Sequence, residues 1–180
     1  MSETQIAAVN VDALLKHLRP QQQGNKLYML LDAAQDPSIY KALSSFDKTS
    51  YGSIFPTQIA QELTTVVPYL LLLDRRTNAT KKLLEDCWGK SWGIFLESTN
   101  SLEELIKHMQ TLLLVKDHDN RSLHFRYYDP RVLRVFLPTC NDAELATVLG
   151  SSVVRFWVES EDGKSLVEFP PKAGKSYPLQ

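Results

Sequence analysis

Residues 27–32 read LYMLLD, and their reading decides the fold. Five apolar side chains in a row, with no polar alternation, are of strand length. Such a strand is covered on both faces, as in the middle of an α/β sheet. Asp32 closes the run. The same pattern returns at 68–74 (PYLLLLD), which ends in Asp74, and the run at 91–96 (SWGIFL) is equally apolar.

Helices separate these strands. Asp36-Pro37 is a start signal, because Asp36 can cap while Pro37 takes the first helical position. Ile39, Tyr40, Leu43 and Phe46 form the inward stripe. Tyr51–Phe55 reads as a weak extended piece, Thr57–Val66 as a helix, and 79–87 as another. Strands joined through helices need crossover connections, which favours parallel pairing in the first half of the chain.

The second half reads differently. Ser101 and Glu104 form a capping box for a helix whose stripe is Leu102, Leu105, Ile106, Met109, Leu112 and Leu113. Residues 114–116 and 122–128 flank the polar turn DHDNR and predict a hairpin. Alternation over 122–128 puts Leu123, Phe125 and Tyr127 on one side and His124, Arg126 and Tyr128 on the other. Asp129-Pro130 starts a helix that ends at Pro138, and Asn141-Asp142 starts another that Gly150 closes. Asp-Gly in SEDGK joins 153–159 to 165–169 as a second hairpin. The expected fold is α/β (mixed α+β): a central mixed sheet with flanking helices, parallel crossovers early and antiparallel hairpins late. Residues 1–25 supply an N-terminal helix (Val11–Leu18) and the linker QQQGN. Residues 26–169 form the domain, and 170–180 a polar, frayed tail.

With 180 residues, 43% of them hydrophobic and 23% charged, the chain suits one globular domain. A formal charge of −1 gives no basic footprint for nucleic acid. Cys87 and Cys140 belong to no C-x-x-C pair and read as reduced and partly buried, which fits the cytosol. The start MSETQIAAVNVDALLK lacks the layout of a secretory leader. The longest apolar run, Val66–Leu73, holds Pro68 and is far shorter than the ~20 residues that cross a bilayer. A soluble, intracellular protein is expected, with no membrane partner.

Motifs for chemistry are scarce. The seven glycines form neither G-x-G-x-x-G nor a P-loop, and no G-x-S-x-G elbow occurs. His17, His108, His118 and His124 have no metal-ligand spacing, and Asp117-His118-Asp119 reads as a solvated turn. Glu103-Glu104 sits in a helix's first turn, where the dipole welcomes it, and Glu159–Asp162 reads as a turn. No cofactor, metal or catalytic residue is expected.

What stands out is HFRYYDPRVLRVFLP at 124–138. Asp129, Pro130, Phe125 and Tyr127 have ordinary structural duties. Arg126, Tyr128, Arg131 and Arg134 are left over, close together where strand meets helix, with Asp129 able to neutralise one of them. Three readings remain open: a protein interface, since arginine and tyrosine are favoured at hot spots; an anion site at a helix start; and a structural ion pair.

In its ordered succession the chain resembles the effector-chaperone, or adaptor, family of bacterial type VI secretion systems, long catalogued as a domain of unknown function. The resemblance rests on LYMLLDAAQDPSIY (27–40), VPYLLLLD (67–74), WGIFLESTNSLEELIKHMQTLLLVK (92–116), HFRYYDPRVLRVFLP (124–138), ELATVLG (144–150) and RFWVE (155–159). It implies a non-enzymatic cytoplasmic role. Such proteins bind a toxic effector, through a segment outside its toxin domain, and keep it soluble. They help place it on the spike, whose tip protein is a second contact to consider. The expected partner-binding residues are Asp32, Arg126, Tyr128, Asp129, Arg131 and Arg134. The alternative is an anion- or phosphate-ligand binding protein or enzyme built on Arg126, Tyr128 and Arg131, with Asp32 or Asp74 nearby.

Overall fold

LYMLLD is a strand buried on both faces. In a computed structural model of the chain, β1 (Lys26–Asp32) sends Leu27, Met29 and Leu31 into one apolar cluster and Tyr28 and Leu30 into another. The structure describes residues 9–116, 119–170 and 174–179. Residues 1–8, on which the leader reading partly rests, and Asp117 and His118 of the polar turn lie outside the described residues.

On the first face lie α1 (Val11–His17), α2 (Pro37–Leu43) and α4 (Asn78–Cys87), through Leu14, Leu15, Ile39, Leu43, Leu83, Leu84 and Cys87. On the second lie α5 (Leu102–Thr111), α6 (Pro130–Thr139) and α7 (Asp142–Leu149), through Leu105, Met109, Leu133, Leu137 and Val148. The caps form where the sequence signalled them. Asp36 accepts from Ser38 N, Asp129 from Arg131 N, and Ser101 and Asn141 each close a capping box.

The sheet has seven strands in the order β2-β3-β1-β4-β7-β8-β9, adding β2 (Tyr51–Ser53), β3 (Pro68–Leu72), β4 (Gly93–Ser98), β7 (Val153–Glu159), β8 (Ser165–Phe169) and β9 (Lys175–Pro178). The expected parallel crossovers are absent: every neighbouring pair is antiparallel. The physical reason is that β3 and β4 both flank β1 and both run against it. The helix between them, α4, carries the chain across β1 instead of laying β4 beside β3. Burial on both faces demands helices above and below, which this sheet has. It does not demand parallel strands.

β1 and β4 pack closely. A Cβ added at Gly93 would stand 2.0 Å from the carbonyl oxygen of Leu30. Only glycine lets the two central strands meet there.

Three local expectations shift. The helix over 57–66 is the shorter α3 (Thr57–Glu62). The strand at 122 ends at His124, as β6 (Ser122–His124), pairing with β5 (Leu114–Lys116). Beyond it the chain turns, with Asp129 N donating to Arg126 O at 3.0 Å, so the period of two lapses and Tyr127 and Tyr128 are both buried. The region past 169 is not all frayed tail: β9 pairs with β8, and Leu179 is buried in the first cluster. Cys87 and Cys140 are both buried. Among the described residues no helix is long and apolar enough to cross a membrane.

Candidate functional site

The site begins at the end of β1. Asp32 is the last residue of that strand, and its side chain is only 2% exposed. Its Oδ2 accepts from Arg126 Nη2 at 2.6 Å and from Gln35 Nε2 at 3.0 Å, while Oδ1 accepts from Ala34 N at 3.2 Å. The ion pair joins residues 94 apart in sequence and ties the segment before α6 to the central strand.

A second pair stands beside it. Arg131 grips Asp129 with both arms, Nε to Oδ1 at 2.9 Å and Nη2 to Oδ2 at 2.6 Å. Asp129 also accepts from the amide of Arg131, so one carboxylate caps α6 and orients a guanidinium. Gln35 links the two pairs, since its Oε1 accepts from Arg131 Nη2 at 3.2 Å. Both carboxylates are sunk in the protein, whereas Arg126 and Arg131 keep 46% and 55% of their side chains exposed.

Tyr128 forms the floor. Its hydroxyl is 3.1 Å from His124 Nε2, and Arg126 lies over its ring at 6.0 Å. Burial first, and then the charge of Asp32, push the phenol up to about 12. Burial, followed by Arg126, holds the imidazole of His124 below its ordinary range. The ring packs edge-on against Phe55 at 5.4 Å.

Of the six residues singled out from sequence, five meet here: Asp32, Arg126, Tyr128, Asp129 and Arg131. Arg134 does not join them. It donates from Nη1 to the backbone oxygen of Glu159 at 2.8 Å. It opens instead on a neighbouring cleft of 740 Å³ that Arg131, Val135 and Lys164 also line. Asp74 is elsewhere. Because β3 runs against β1, with Asp32 opposite Pro68 and Tyr28 opposite Leu72, the two strand-ending aspartates fall at opposite ends of the sheet. Asp74 is occupied by Arg76 at 3.0 Å.

Sequence reasoning missed Gln35 and Glu159. Gln35 lies three residues past Asp32, within reach of the same turn, and that spacing was its only signal. The sequence places Glu159 at the end of the strand 153–159, next to a turn, and gives its carboxylate no partner. It ends β7, almost wholly buried, and accepts from Gly89 N, Ser91 N and Ser91 Oγ at 2.7, 2.7 and 3.0 Å. Burial outweighs these bonds and raises its carboxyl above the ordinary value.

The Asp129 cap carries a pH prediction. Burial pushes its carboxyl up, but the hydrogen bonds and charge of Arg131 outweigh that and leave it below its ordinary 3.8. Its stabilisation is therefore complete above that value and is lost as pH falls through the lowered one. Asp129→Asn should cost about 1 kcal/mol at neutral pH, the scale of a weakened cap. It should also flatten the acid limb below about pH 4, as read by urea melts against pH.

No metal-binding group of three or more His, Cys, Asp or Glu occurs among the described residues. No curated protein and no solved structure matches the chain significantly. The family model described as "Domain of unknown function (DUF4123)" matches residues 27–147, which is β1 through most of α7 and includes all six residues above. On that match, over two thirds of its length, the chain belongs to the DUF4123 family.

Proposed function

We propose that this chain is a cytoplasmic adaptor that binds a toxin of a type VI secretion system, keeps it soluble and hands it to the spike. The resemblance drawn from the sequence motifs supports this reading. One observation carries it further. Arg126 and Arg131 are half exposed, yet each is locked in place by a buried carboxylate. Locked guanidiniums with free faces lose little entropy on meeting a partner. Beside them, on the same side of α6, Val135 is 69% exposed over the cleft. An apolar side chain flanked by fixed arginines matches the make-up of interface hot spots.

The anion-binding alternative meets a filled site. Each guanidinium already holds a carboxylate, which offsets the charge an incoming phosphate would meet.

Co-expression with the secretion toxin encoded beside this gene tests the proposal. The toxin should be soluble and co-purify with the chain, and aggregate without it. Val135→Asp should change stability by less than about 0.5 kcal/mol, as surface substitutions do. It should weaken the complex by at least about tenfold, equivalent to ~1.4 kcal/mol. Retention of full affinity would remove the α6 face from the interface.

A further inference from the structure

A second polar assembly lies mostly outside the region that the family model matches, with Glu97 as its member inside it. Arg155, on β7, is buried with its side chain 8% exposed. Its Nε lies 3.0 Å from Glu97 Oε2 but out of hydrogen-bond line, leaving both atoms without a hydrogen-bond partner. Its Nη1 lies 3.2 Å from Glu168 Oε1. Those two carboxylates are already engaged. Glu97 accepts from Gln21 N at 3.0 Å and from the Asn25 side chain. Glu168 accepts from Trp157 Nε1 at 3.0 Å and from the Tyr177 hydroxyl at 3.4 Å.

Arg155 forms the floor of a pocket of 580 Å³ between the end of α1, the linker and β8–β9. Lys16, His17 and Arg19 stand around it, with the amide side chains of Gln21, Gln22 and Gln23. Lys16 and Arg19 are exposed and have no ion pair or hydrogen bond from their side chains among the described residues. Arg19 also lies near Arg75, whose guanidinium has its Nε buried without a partner. The only carboxylate in the lining, Glu168, is spoken for by Arg155. Arg155 is thus answered by Glu97 and Glu168, and the unanswered positive charge is that of Lys16 and Arg19, on a chain whose formal charge is −1.

We infer that this pocket binds an acidic segment of the partner polypeptide, with Lys16 and Arg19 taking its carboxylates over the paired Arg155 at the floor and the three glutamines pairing with its backbone. Glutamine side chains both donate and accept, as a peptide backbone requires. Cations with no partner lose nothing when a carboxylate arrives, and several around one pocket give charge complementarity and faster encounter. Every lining residue named lies outside residues 27–147. The pocket thus belongs to this chain's own flanks and adds a selective contact to the α6 face. The choice of a polypeptide as ligand rests on the adaptor reading.

The test uses the full chain and a fluorescently labelled hexaglutamate peptide, read by anisotropy at low salt, with hexaglutamine as the neutral control. Hexaglutamate should bind saturably and hexaglutamine should not. The double variant Lys16→Glu/Arg19→Glu should weaken binding at least about tenfold. Lys41→Glu/Lys48→Glu makes the same charge change outside the pocket and should alter it less than about twofold. Equal losses in the two double variants, or no binding of hexaglutamate, would overturn the inference. So would displacement by inorganic phosphate at concentrations matching hexaglutamate itself, since the site would then take a small anion. If the wild-type chain holds its co-expressed toxin yet ignores hexaglutamate, the pocket inference fails and the adaptor reading stands. If hexaglutamate binds while no toxin is retained, the adaptor reading fails and the pocket remains.

Discussion

Gly93→Ala should lower the melting temperature of the chain by roughly 6–12 °C, the consequence of losing about 3 kcal/mol in a domain of this size. Gly93 opens β4 at the point where it faces β1. The new methyl carbon would stand 2.0 Å from Leu30 O and 2.9 Å from the carbonyl carbon of the same residue. Those are backbone atoms of the central strand, so no side-chain rotation relieves the clash. The strands must part, and the neighbouring pairs Leu31–Gly93 and Leu30–Ile94 loosen with them. Leu30 and Ile94 are fully buried in the second cluster, so the displacement reaches the core under α5 and α6. Thermal melts by circular dichroism measure the effect. A melting temperature within about 2 °C of the wild type would show that β1 and β4 do not meet as described.

Arg155→Met should be comparably severe, at about 3–5 kcal/mol, the usual penalty for removing one partner of a buried ion pair. Glu97 is fully buried, and among the described residues Arg155 is the only cation that pairs with it. The bonds from Gln21 and Asn25 orient its carboxylate but supply no charge. Without the guanidinium a bare anion sits inside the sheet, where desolvation is costly. Removing the anion as well should recover most of the loss, because replacing a whole buried pair with apolar groups is often nearly neutral. Denaturant titrations of Arg155→Met and of Arg155→Met/Glu97→Leu give both numbers. If the double variant is no more stable than the single one, the charge argument is wrong and Arg155 matters by packing on Trp157, over whose ring it lies at 5.3 Å.

Local chemistry was legible in the sequence; non-local pairing was not. Asp36, Ser101, Asp129 and Asn141 each bond an amide two or three residues away, so four residues are enough to predict a cap. The apolar runs at 27–31 and 68–73 announce buried strands for the same reason. Their direction is set by which strand lies beside which, and nothing within LYMLLD or PYLLLLD encodes that. The recurrence of an aspartate after each run invited a shared active edge, and the antiparallel pairing of β1 with β3 puts the two carboxylates at opposite ends.

The candidate site divides along the same line. Asp129-Pro130-Arg131 is a local unit and was readable as a cap with a neutralised arginine. The bond from Arg126 to Asp32 crosses most of the matched domain, and only the surplus of charge near 126 hinted at it. Arg134 sits one helical turn past Arg131 on the same side of α6, yet its nearest acceptor belongs to β7, so it serves a different cleft. The linker QQQGN carries no periodicity and looked featureless. Its role around Arg155 depends on β7, β8 and β9 arriving from the far end of the chain, and KSYP at 175–178 is too short and polar to announce a strand.

The proposed function requires that this fold grip another polypeptide. Calorimetric titration of the purified chain with the proposed partner toxin is the decisive measurement. The account predicts saturable binding at one chain per toxin, weakened by Val135→Asp. No heat of binding, with the toxin equally soluble and equally exported in cells lacking the chain, would contradict it.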